Sequence, residues 1–147
     1  MNKYVVISHT HWDREWYMPF EQFRLKLADL IDHLLGILER DDGFIFHLDA
    51  QTVVLEDYLE IRPEREEELK KYIASGNIAV GPWYLQNDFL LTSGEATVRN
   101  MMLGIELAER FGKCTRVAYA PDQFGNPAQL PQIFNGFGMD CFMFGRG

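Results

Sequence analysis

The sequence predicts an α/β fold of parallel strands with covering helices, the N-terminal portion of a larger (β/α) barrel or, on periodicity alone, of a doubly wound sheet. Three observations predict it. Short apolar runs alternate with stretches of helical apolar spacing along the whole chain. Each run ends in polar, chemistry-bearing residues, as at the ligand edge of parallel sheets. The chain also stops just past a fifth such run, at Gly145-Arg146-Gly147, with no helix following to cover it. A bare strand end of that kind is expected of a segment, residues 1–147, of a catalytic domain that continues further.

The elements follow in order. Tyr4-Val5-Val6-Ile7 reads as a buried first strand, and its exit carries His9-Thr10-His11-Trp12-Asp13-Arg14-Glu15-Trp16. Phe23, Leu27, Leu30, Ile31, Leu34, Leu35 and Leu38 form one stripe of a helix from about Phe20 to Arg40, stopped by Asp41-Asp42-Gly43. A second strand, Phe44 to Leu48, exits into Asp49-Ala50-Gln51. Val53 to Ile61 reads as a helix, Pro63 suits the first turn of the next, and Gly76 suits its C-terminal cap. Ile78-Ala79-Val80 is the third strand, with the exit Gly81-Pro82-Trp83-Tyr84-Leu85-Gln86-Asn87-Asp88. Thr92-Ser93-Gly94-Glu95 matches a capping box ahead of a helix lined by Val98, Met101, Met102, Ile105 and Ala108. The fourth strand, Arg116 to Ala120, exits at Pro121-Asp122-Gln123-Phe124-Gly125-Asn126; a helix from about Ala128 to Asn135 and a strand from Cys141 to Phe144 complete the chain.

Composition narrows the function classes. With 47% hydrophobic and 14% aromatic residues the chain can bury a core. Its net charge of −8, without a basic patch, argues against nucleic acid or an anionic membrane as partner. No stretch approaches the roughly 18 apolar residues of a membrane span, so a soluble, cytoplasmic protein is expected. Cys114 and Cys141 stand far apart beside apolar runs, which predicts buried, reduced thiols.

The strand exits define the candidate site. In extended backbone alternate side chains share a face, so His9, His11 and Asp13 point one way and Thr10 and Trp12 the other. Imidazole nitrogen and carboxylate oxygen on one face suit a borderline divalent ion such as zinc, although the same residues also make a metal-free hydrogen-bonded strand end. Asp49, Gln51, Asn87, Asp88, Asp122 and Arg146 stand at the other exits, and five polar exits in register are what the catalytic face of a parallel barrel presents. Asp88 is a substrate-contact candidate there, with a turn cap as its alternative role. His33 and His47 lack ligand spacing and read as structural.

Three motifs, H-T-H-W-D-R-E-W, G-P-W-Y-L-Q-N-D and P-D-Q-F-G-N with L-P-Q-I-F-N-G-F-G after it, occur in one order across the 147 residues. On them the chain resembles the N-terminal part of the glycoside hydrolase family 38 α-mannosidases, and is most similar to bacterial members, which include mannosylglycerate hydrolases. The resemblance implies an irregular seven-stranded (β/α) barrel and a retaining hydrolase of α-mannosidic bonds, with an α-mannoside or mannosyl-oligosaccharide as substrate. It also implies one zinc ion held by His11, Asp13 and Asp122, with Asp122 as nucleophile. Trp16 matches the family's stacking tryptophan, a core position being the other reading, and Arg146 matches its active-site arginine. The fourth zinc ligand, a histidine, and the acid/base aspartate belong to later sequence in the family, so the 147 residues alone are expected to be inactive. A zinc polysaccharide deacetylase and a non-catalytic sugar-binding fragment are the alternatives, and an uncovered fifth strand would also admit a homo-oligomer.

Overall fold

The computed structural model describes residues 2–146; Gly147, part of the fifth exit read above, and Met1 lie outside it. The order is β1 (Ser8–Thr10), α1 (Phe20–Leu38), β2 (Phe46–Leu48), α2 (Val53–Leu59), a 3-10 turn (Pro63–Arg65), α3 (Glu66–Ser75), β3 (Ile78–Ala79), α4 (Gly94–Arg110), β4 (Ala118–Ala120), α5 (Leu130–Gly136) and β5 (Phe142–Phe144). Every strand pair is parallel, as the alternation of strands and helices requires. The fold is thus a small α/β unit whose strands run the same way.

The single sheet expected from the strand order is instead two: β1-β2-β3 and β4-β5. Between them the ladder is replaced by two isolated bonds. Thr115 N–H donates to Val80 O at 2.9 Å, and the Trp83 indole N–H donates to Tyr119 O at 2.8 Å. Trp83 is completely buried and packs against Phe89 and Phe134 at centroid distances of 5.6 and 5.9 Å. A bulky ring standing where a neighbouring strand would run explains the gap, and its single polar atom is satisfied across it.

The core lies between the strands and the helices that cover one side. Leu27, Ile31 and Leu35 of α1, Leu55 and Tyr58 of α2, Leu69 and Ile73 of α3 and Met101 of α4 are fully buried. Each such aliphatic side chain contributes roughly 1.5–3 kcal/mol on leaving water. Asp32 ties α1 to α2, accepting from the Tyr58 hydroxyl at 2.7 Å and from Arg62 Nε at 3.2 Å. No helix among the described residues is long and apolar enough to cross a membrane.

Four expectations need correction. Tyr4-Val5-Val6-Ile7 is neither buried nor a strand: β1 begins only at Ser8, and Tyr4 and Val6 are 85% and 92% exposed. Its apolar, β-branched character reads as a core strand only if a layer covers it, and β2 pairs no further back than Ser8. The other strands are also shorter than their apolar runs, Val80 for instance being fully buried yet outside β3. The capping box is replaced by a simple cap, in which Ser93 Oγ accepts from Ala96 N–H at 3.1 Å while Glu95 turns to Arg99. Cys114 is buried, and burial pushes its thiol up to about 11, but Cys141 is exposed.

Candidate functional site

The segment after β1 is held from behind. Arg14 donates from Nε and Nη2 to both oxygens of Asp57 on α2, at 2.7 and 2.8 Å, and its guanidinium lies over the Phe20 ring at 4.7 Å. Two parallel charge-assisted bonds specify orientation as well as position. The Trp12 ring packs edge-on against Phe23, at 5.9 Å. His11 and Asp13 line one cleft, but the expected alternation of three residues does not hold, because β1 ends at Thr10 and the chain leaves extended pairing there. His9 does not join them; with Val5, Ile7, His47 and Tyr119 it lines a separate apolar pocket.

The cleft opposite has a volume of about 180 Å³ and is lined by His11, Asp13, Trp16, Asp88, Asp122 and Phe124, with Gln86, Asn87 and Gln123. Residues from the exits of β1, β3 and β4 therefore meet there, on the C-terminal side of the strands. His11 Nε2 stands 3.6 Å from Asp13 Oδ1 and 3.9 Å from Asp122 Oδ2. Arg146, from the β5 exit, pairs with Asp122 Oδ1, so the two oxygens of Asp122 divide between the arginine and the histidine. The guanidinium also lies 4.5 Å from the Phe124 ring centroid, and Asn126 Nδ2 donates to Arg146 O at 2.7 Å. Trp16, 65% exposed, lies on the cleft and not in the core. Asp88 both lines the cleft and closes a turn, its Oδ1 accepting from Leu90 N–H at 3.1 Å.

Behind the cleft stands Asp49, at the exit of β2. His11 Nδ1 lies 3.2 Å from Asp49 Oδ1 and 3.1 Å from Oδ2. This hydrogen bond, helped by the charges of Asp49, Asp13 and Asp122 and opposed by partial burial, raises the His11 pKa above its ordinary value. Asp49 and Gln51 belong to the polar strand exits that the sequence marks as converging, but their spacing assigns neither a role toward His11. They meet because the chain turns through left-handed backbone at Asp49 and Ala50, which brings Gln51 Nε2 within 2.7 Å of Asp49 Oδ2. Gln86 and Phe124 were likewise inside quoted motifs without an assigned role.

Among the described residues no three His, Cys, Asp or Glu side chains form a ready-made metal cluster. The donor set nonetheless fits zinc in kind, and the two pairs that share His11 Nε2 are within reach. Ligand atoms about 2.1 Å from a tetrahedral ion stand about 3.4 Å apart, and the two distances from His11 Nε2 are 3.6 and 3.9 Å. The carboxylate on the far nitrogen of His11 is also the usual companion of a metal-binding imidazole.

The model of the glycosyl hydrolases family 38 N-terminal domain matches residues 1–147. The "Putative mannosylglycerate hydrolase" of Halalkalibacterium halodurans is 51% identical over 144 residues, covering 97% of this chain and 16% of that protein. Human alpha-mannosidase 2C1 is 34% identical over 138 residues, or 92% of this chain and 13% of that one. The crystal structure of an alpha-mannosidase from Enterococcus faecalis superposes with a TM-score of 0.91 at 42% identity, over 94% of this chain and 16% of the other. The chain thus spans about a sixth of the length of the first of these relatives.

Proposed function

This chain belongs to glycosyl hydrolase family 38, and from that membership we propose that it supplies part of an active site that hydrolyses α-mannosidic bonds with retention of configuration. The observation that carries the reading is the meeting of His11, Asp13 and Asp122 in one cleft, with Asp49 behind His11. Asp122 is the nucleophile. Its carboxylate oxygen bonds to the anomeric carbon as the glycosidic C–O bond breaks, and the leaving oxygen takes a proton from an acid/base carboxyl that the family resemblance puts in later sequence. Water, deprotonated by that same carboxyl, then displaces Asp122 and releases mannose.

Arg146 holds one oxygen of Asp122 and leaves the other for the cleft. Trp16 and Phe124, both exposed on the cleft, offer flat apolar faces to the C–H surface of the sugar, and Asp88 offers an acceptor to its hydroxyls. His11, Asp13 and Asp122 are the residues that would hold zinc, with a fourth ligand from later sequence on the same resemblance. When bound, the metal supplies Lewis acidity and a template for the sugar hydroxyls.

The test is a chimera in which this chain replaces the matching 144 residues of the Halalkalibacterium relative. Expected are zinc-dependent release of phenol from an aryl α-mannoside and α-mannose as the first-formed anomer by NMR. Asp122→Ala should lower kcat by about 10³-fold or more and reduce bound zinc as well, since one carboxylate serves both purposes. A first-formed β-anomer, or an Asp122→Ala chimera of undiminished kcat, would overturn the assignment.

A further inference from the structure

Asp49 carries more constraint than a strand exit needs. It has no exposed surface and adopts left-handed backbone with φ of 49°, followed by Ala50 at 56°. A residue with a Cβ held there is strained and persists only where its surroundings over-determine it. Those surroundings converge on its carboxylate. Trp12 N–H and Gln51 Nε2–H donate to Oδ2, each at 2.7 Å, and Gln86 Nε2–H reaches Oδ1 at 3.3 Å. The remaining neighbour is His11 Nδ1, within 3.2 Å of both oxygens.

The donors come from three strand exits, those of β1, β2 and β3. Gln86 also donates to Asp49 O at 2.6 Å, and its own N–H donates to Gln51 Oε1 at 3.0 Å. Gln51 Nε2 in turn donates to Trp12 O at 2.8 Å. Asp49 is therefore the shared acceptor through which the β1 exit is registered against its two neighbours. A carboxylate only accepts, so the imidazole nitrogen facing it is the one that bears hydrogen. In a neutral imidazole the other nitrogen then carries the lone pair, and in His11 that atom is Nε2, the one turned toward Asp13 and Asp122.

We infer that Asp49 is a positioning residue that sets both the ring orientation and the tautomer of His11, presenting the Nε2 lone pair to the cleft. The inference rests on the reading of His11 as a metal ligand for its purpose, but its geometry stands in the metal-free chain. Removing such an outer carboxylate typically weakens metal binding 10- to 100-fold. Asp49→Asn keeps the shape of the side chain, but an amide N–H turned toward Nδ1 would move the ring proton to Nε2 and block the lone pair.

The experiment has two arms, the first on the 147-residue chain and the second on the chimera, which carries the later sequence of the relative. In the first, long-range ¹H–¹⁵N NMR of the metal-free chain, at a pH where the same spectra show the His11 ring neutral, reads the His11 tautomer. Expected is Nδ1–H in the native chain and Nε2–H in Asp49→Asn; Nε2–H in the native chain overturns the inference without reliance on how any variant folds. In the second, competition for Zn²⁺ against a chelator, with Co²⁺ absorption spectra as a coordination readout, compares the two chimeras at matched circular dichroism. A 10- to 100-fold weaker affinity in Asp49→Asn is expected, and affinities within twofold overturn the inference. A native chimera that takes up neither metal sinks the metal reading of the cleft instead, and the tautomer arm then decides the role of Asp49 alone.

Discussion

Trp16 and Trp12 lie four residues apart and have opposite fates, which sets the first prediction. Trp12 is half-buried against Phe23, whereas Trp16 is exposed at the cleft. Trp16→Ala should therefore change stability by no more than about 0.5 kcal/mol in a denaturant titration, the usual range for a surface substitution. In the chimera it should raise KM roughly 2- to 10-fold with kcat little changed, the equivalent of about 0.5–1.5 kcal/mol of aromatic contact. The histidines of the two pockets make an opposed pair. Burial lowers the His47 pKa, so the unfolded chain binds its proton more readily than the folded one. Its contribution to stability is full above about pH 6.5 and is lost as pH falls through that value toward the lowered folded one. The bond to Asp49 raises the His11 pKa, so its contribution is full below about pH 6.5 and is lost as pH rises through the raised folded value. Unfolding free energies measured across this range should show His47→Gln flattening the acid limb and His11→Gln the opposite limb in metal-free protein. Swapped effects would contradict both assignments.

At the scale of elements, α4 is the support of the third strand exit. Asn100 accepts from Leu85 N–H at 3.0 Å and donates to Leu85 O at 2.7 Å and to Asn87 Oδ1 at 3.0 Å. One turn further along, Gly104 lies directly against the chain from Pro82 to Tyr84, where a Cβ would collide with backbone atoms of all three residues. Backbone cannot rotate aside as a long side chain can, so Gly104→Ala should cost about 1–3 kcal/mol or more despite alanine's better helix propensity. Chemical denaturation measures the loss; a stabilised variant would mean that α4 is not seated as closely as described. Gly145 has the same kind of role on the far side. A Cβ there would meet the Pro121 carbonyl, and the close approach brings the Arg146 guanidinium within reach of Asp122.

Across the whole molecule the two outer strands pair on one side only: β1 with β2, and β5 with β4. Next to the first edge lies the exposed Tyr4–Ile7 run, and Met143 and Phe144 are about half exposed on the second. Unpaired N–H and C=O groups beside apolar side chains are a template for another strand. The 147-residue chain should therefore sediment with increasing mass as its concentration rises, and Val6→Lys with Phe144→Lys should shift it toward monomer. A monomer that persists at high concentration without these changes would show that the edges are blunted by means other than charge.

Periodicity and motif order made the element sequence legible, together with the parallel sense of the strands and the residues His11, Asp13, Trp16, Asp88, Asp122 and Arg146 as one group. These are readable because helical and strand spacing are local, and because a parallel connection returns every exit to the same side. What only the tertiary structure decided depends on distant partners. Tyr4–Ile7 and Cys141 are exposed because burial is set by whatever layer packs over a run, not by the run itself. The sheet divides in two because Trp83, far from Tyr119 in sequence, fills the space between them. Asp49 lies 38 residues from His11 and contacts it only after β2 has paired in register with β1, so its place behind the imidazole is a product of sheet register that no spacing along the chain encodes.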